Sequence, residues 1–111
     1  MIHLIADRAT EQQRQEMLEM LQTYIKLAVD VRRRVVAGGG DMHADCEAVL
    51  LEDGSKQEDV WGADWFPDRR KVRCQSLINL RPKQGNRSLE IQDAMLRQTI
   101  EAIVQERLSE R

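Results

Sequence analysis

Between Tyr24 and Val31 the chain alternates: Ile25, Leu27, Val29 and Val31 are apolar, with Tyr24, Lys26, Ala28 and Asp30 between them. A two-residue period predicts a strand with one buried face. Other segments carry a different rhythm. Thr10 followed by Gln13 is a capping-box pattern that opens a helix through about Gln22, with Met17, Leu18, Leu21 and Ile25 on one face. Leu96, Ile100, Ile103, Val104 and Leu108 step by three and four behind Asp93, a suitable N-cap, and predict a second helix. Ile2 to Ile5 reads as a short edge strand. Val35 to Ala37 reads as another, after the polar break Arg32–Arg34 and before the glycines 38–40.

The middle of the chain reads as a pair of hairpins. Asp53-Gly54 suits a two-residue turn in which both central residues take positive φ. The segment Phe66-Pro67-Asp68-Arg69 is a second turn signal. With loops at 53–54 and 66–69, strands 42–51, 55–65 and 70–80 place Met42, Ala44, Cys46, Ala48, Leu50, Trp61, Ala63, Trp65, Val72 and Cys74 on one apolar face. A slip of one residue would destroy that face. The expected fold is therefore α+β: one domain over residues 1–111, a mainly antiparallel meandering sheet of five or six strands, and two helices packed on one face.

In that register the other face gathers chemistry. His43 lies opposite Asp64, which lies opposite Lys71; Asp45 lies opposite Gly62, beside Arg73; Glu47 lies opposite Val60. His43, Asp45 and Asp64 are ligand types suited to zinc or manganese, although lysine and arginine beside them repel a cation. His43 oriented by Asp64, with Asp45 and Glu47 nearby, is the corresponding candidate for an acid-base hydrolase. A solvated, charge-paired sheet face accounts for the same residues without any chemistry. No cofactor is expected, and a divalent metal enters only through the His43, Asp45 and Asp64 candidates.

Charge sharpens this picture locally. The whole chain carries a net charge of −2, which argues against a general binder of nucleic acid. Yet nine acids against one lysine occupy residues 40–68, while residues 69–87 hold seven bases and no acid. The 81–88 loop, RPKQGNRS, offers Arg81, Lys83 and Arg87 as cations and Asn86 and Ser88 as further donors, with Gly85 allowing backbone amides to approach a ligand. It is neither a phosphate-binding loop of the Walker type nor a dinucleotide fingerprint. A basic loop paired within the molecule is the alternative.

Hydrophobic residues at 41% and charged residues at 32% describe a globular protein. No apolar run approaches the roughly 18 residues a membrane span needs, and the N-terminus lacks a signal-peptide pattern, so a cytoplasmic protein is expected. Cys46 and Cys74 lack the spacing of a zinc site. Flanking Trp61 on separate strands, they would lie roughly 9–10 Å apart, beyond disulfide reach, so both are expected reduced and buried.

The segments YIKLAVDV, HADCEAVLLEDGS, QEDVWGADW and SLINLRPKQGNRSLEI resemble a family of small prokaryotic proteins of unknown function. The resemblance covers most of the chain and implies a single cytoplasmic domain, without a known activity, ligand or catalytic residue. Two functional readings stand side by side. One is a binding or interaction domain, with a homodimer among its expected forms and a small anionic ligand or partner at the 81–88 loop. The other is a small hydrolase using the His43/Asp45/Asp64 face; neither contains a recognised catalytic motif.

Overall fold

The computed structural model describes residues 1–110. It is an α+β fold built on a five-stranded sheet in the order β1-β3-β2-β4-β5, with β1 His3–Ile5, β2 Ile25–Asp30, β3 Val35–Gly38, β4 Val60–Phe66 and β5 Lys71–Arg73. Every strand pair is antiparallel. Three α-helices accompany it: α1 Glu11–Leu18, α2 His43–Glu52 and α3 Ala94–Leu108.

Several local expectations hold. Thr10 and Gln13 form the capping box at α1, with Thr10 Oγ1 accepting from Gln13 N at 3.1 Å and Gln13 Oε1 accepting from Thr10 N at 2.9 Å. Asp93 caps α3 by accepting from Met95 N and Leu96 N. The edge strand near the N-terminus, the 25–30 strand and the strand from Val35 are all present. The polar break after β2 is organised by Asp30, which is fully buried. Its carboxylate accepts from Arg32 N and Arg33 N at 2.9 Å each and from Ser55 Oγ at 2.6 Å. That satisfies a charge that would be costly to bury alone.

The 42–51 segment is a correction. It is helix α2, not a strand, and Asp53-Gly54 ends that helix instead of turning a hairpin. Gly54 takes φ 105°, while its N–H donates to Leu51 O and Ser55 N–H donates to Leu50 O, at 3.1 and 2.9 Å. These two bonds are the Schellman pattern, which needs the same positive-φ glycine that a tight hairpin needs. The meander therefore fails at its first hairpin. Between β3 and β4 the chain crosses one face of the sheet as α2, and β4 pairs with β2 instead, with Trp61 opposite Val29, Ala63 opposite Leu27 and Trp65 opposite Ile25.

The second hairpin exists with its register moved. Phe66 pairs with Lys71 and Trp65 with Val72, so the loop is 67–70 instead of 66–69. The shift preserves the parity of both strands, and Trp61, Ala63, Trp65, Val72 and Cys74 do share one face.

The sheet is covered on both faces, a second correction to helices on one face only. Ile25, Leu27, Val29, Val36, Trp61, Ala63 and Trp65 pack with Met17 of α1 and with Ile100, Ile103, Val104 and Leu108 of α3. Ala28, Val35, Ala37 and Val60 pack on the other side with Cys46 and Leu50 of α2. A strand buried on both faces needs apolar or small residues at every position, and the run Val35-Val36-Ala37 has that composition. Cys46 and Cys74 are free and buried, one in each core. Asp59 lies in a turn before β4 and meets Arg32 at 3.4 Å.

Candidate functional site

The first candidate is centred on Asp64, in β4. Its side chain is 1% exposed, and both oxygens are engaged. Oδ1 meets His43 Nε2 at 2.7 Å, while Oδ2 accepts from Arg73 Nε at 2.9 Å and meets Arg73 Nη2 at 2.8 Å. His43 is thus beside Asp64, as expected, but through a helix packed on the sheet and not through strand pairing. It is the first residue of α2, so the contact fastens the start of that helix to the sheet. On the other side of Asp64, Arg73 is the cross-strand partner from β5 and Lys26 the partner from β2.

The remaining members of that candidate disperse. The pairings of Asp45 with Gly62 and Glu47 with Val60 do not exist, because 43–52 is helical and β4 pairs with β2 there. Asp45 is exposed. Glu47 turns along α2 to within 4.0 Å of Arg81 Nη2. Among the described residues, no three His, Cys, Asp or Glu side chains stand close enough to hold a metal ion. The space above Gly62 is filled: a Cβ there would lie 2.6 Å from Ser76 Cβ and 3.1 Å from Ile78 Cγ1.

What packs on Gly62 builds the second candidate. β5 is too short to pair with β4 as far as Gly62. The Asn79 side chain takes the absent strand's place: its Oδ1 accepts from Gly62 N at 2.7 Å, and its Nδ2 donates to Gly62 O at 3.0 Å. A side-chain amide carries the same donor and acceptor as a peptide unit, so it completes the ladder. Asn86 then fixes the loop that follows. Its Nδ2 lies within donating distance of the carbonyls of Asn79, Ser88 and Glu90, and its Oδ1 accepts from Gln92 N at 2.8 Å. Both asparagines are buried. Asn79 was not legible in the sequence as a site residue, because an asparagine among Leu77, Ile78 and Leu80 has no motif around it.

Arg81 is equally committed. Nε donates to Ile78 O at 3.0 Å, Nη1 to Gln57 O at 2.9 Å and Nη2 to Val60 O, while the guanidinium sits 4.3 Å from the Trp61 ring centroid. Burial pushes its pKa down from the usual value, and Glu47 acts in the opposite direction. Arg81 therefore ties the 3-10 turn Pro82–Gln84 to β4. Ser88 Oγ accepts from Glu90 N at 3.1 Å. Of the residues proposed for anion binding, Lys83 and Arg87 are the two whose side chains are exposed and lack a polar partner among the described residues.

Beside this clasped segment runs an open groove of about 730 Å³. It is lined by the apolar Leu77, Ile78, Leu80 and Pro82 and by the polar or charged Glu47, Gln57, Glu58, Arg81, Lys83 and Gln84. Leu77 is 71% exposed and Leu80 45%. His43 does not line it. No helix among the described residues is long and apolar enough to cross a membrane. No curated protein and no solved structure matches the chain. A family model does match, over residues 3–107, and by that match the chain belongs to the family described as protein of unknown function (DUF5674).

Proposed function

We propose that the protein is a binding domain whose partner docks in the groove beside residues 77–84. The observation that carries this reading is the pairing of an open groove with Leu77 and Leu80, large apolar side chains held out on its wall. An apolar surface rimmed by charge is the ordinary mark of an interaction site. The wall is also preorganised: Asn79, Arg81 and Asn86 fix its backbone, so little ordering cost falls on binding.

The charges favour a protein segment over a simple anion. Glu47 and Glu58 stand in the same groove as Arg81 and Lys83, so no single sign dominates. The partner it fits presents an apolar side chain flanked by charges of both signs, which the rim would orient. His43 and Asp64 serve in this reading as the fastening of α2 to the sheet, and neither lines the groove.

Peptides selected from a random library against the immobilised protein test the reading. They should shift the amides of residues 77–84 and bind roughly tenfold more weakly to Leu77→Ser, which removes one apolar anchor. Selected peptides that bind Leu77→Ser as tightly as the wild type would refute it.

A further inference from the structure

The β4–β5 hairpin carries a second, independent site. Phe66 stacks on Tyr24, its neighbour across the sheet, with ring centroids 5.0 Å apart and planes 10° from parallel. The Arg69 and Arg73 guanidinium groups lie 5.3 and 5.0 Å from the Phe66 centroid. Arg73 is also anchored by Asp64 through Nε and Nη2, which leaves Nη1 without a polar partner among the described residues. Arg69 and Lys71 have no ion pair there either. Of the four cations on this hairpin, Arg69, Lys71 and Arg73 share one side and two of them are braced against an aromatic ring, while Arg70 donates to Ser109; of its two acids, Asp64 is buried and fully engaged and Asp68 is exposed in the loop.

A groove of about 440 Å³ opens beside this hairpin, within the range of small-molecule sites. Its two walls differ in net sign. Phe66, Arg69, Lys71 and Arg73 line it from the hairpin, whereas Glu90, Arg97 and Glu101 line it from before and on α3, where Arg97 is held through Nη1 by the carbonyls of Ile91 and Gln92. From this arrangement we propose that the groove binds a free mononucleotide. Its phosphate meets the guanidinium and ammonium donors, and its base and ribose, rich in N–H and O–H groups, donate to Glu90 and Glu101. A simple phosphate would use one wall only. A nucleic-acid polymer would bring several phosphates past the acidic wall and onto a protein of net charge −2, which works against it. This site stands apart from the peptide groove and does not depend on it.

An amide-shift titration with AMP at low salt tests the proposal, with pyrophosphate and a short single-stranded oligothymidylate as comparison ligands. AMP should shift the amides of residues 66–73. The double variant Arg69→Gln/Lys71→Gln, both exposed positions, should bind AMP about tenfold more weakly, the equivalent of losing ~1.4 kcal/mol, while keeping its circular dichroism and melting temperature. Glu101→Gln should weaken AMP and leave pyrophosphate unweakened. Lys83→Gln, in the other groove, should change nothing. The proposal is overturned if AMP leaves the 66–73 amides unmoved, if the double variant binds it as well as the wild type, or if pyrophosphate or the oligothymidylate binds more tightly than AMP.

Discussion

At the scale of single residues, the informative positions are buried polar groups and thiols. Asp64 holds the side chains of His43 and Arg73, from two other elements, at 2.7–2.9 Å. Removing a buried charge from such a network leaves its partners unsatisfied. Asp64→Ala should therefore lose about 3 kcal/mol in urea unfolding, whereas Lys83→Gln should stay within about 0.5 kcal/mol. The thiols give a pH signature. Burial raises Cys46 to about 11 and Cys74 to about 12, from an ordinary value of 9.0. In the folded state both stay protonated, so unfolding above pH 9 releases protons. Their contribution to stability is complete below pH 9 and falls as pH rises toward 11–12, by at most ~1.4 kcal/mol per pH unit for each thiol. The double variant Cys46→Ala/Cys74→Ala should show a correspondingly flatter decline over that range. Native protein at pH 8 should also react slowly with a thiol reagent, and unfolded protein quickly.

At the scale of elements, α2 shows how one pattern serves two structures. Met42, Ala44, Cys46, Ala48 and Leu50 alternate, yet Cys46, Val49 and Leu50 also step by three and one, as one face of a helix does. Alanine does not discriminate between the two, and Ala44 and Ala48 prove to be exposed. The composition of HADCEAVLLE, rich in Ala, Leu and Glu with one β-branched residue, was the available signal for a helix. Gly54 just past its end was the matching stop signal. Gly54→Ala should lose about 1 kcal/mol, through the positive φ it must keep. Thr10→Ala should lose a similar ~1 kcal/mol by opening the capping box at α1. Thermal melts of the two variants check both values.

At the scale of the whole molecule, the decisive feature is the substitution of a side chain for a strand. Asn79 pairs with both peptide groups of Gly62, and Asn86 binds the carbonyl of Asn79, so the groove-forming segment is hung from the central sheet. Asn79→Ala should strand two backbone groups of β4 and lose about 2–4 kcal/mol, with Asn86→Ala losing about 2–3 kcal/mol. Substitutions of the exposed Leu77 should leave the melting temperature nearly unchanged. Local order was determined by the sequence itself: the caps at Thr10 and Asp93, the strand at 25–30, the helix ending at Leu108 and the partition of Trp61, Ala63 and Trp65 onto one face. Each depends on contacts within a few residues or on a short-period pattern that one residue type makes unambiguous. Only the tertiary structure decided that Asp53-Gly54 ends a helix, that β4 pairs with β2, and that Arg81 and Asn86 turn their donors inward. Those outcomes depend on which surfaces meet across tens of residues. Positive φ at a glycine, alternating alanines and a cationic side chain each permit more than one partner, and the partner is chosen by packing on a second sheet face.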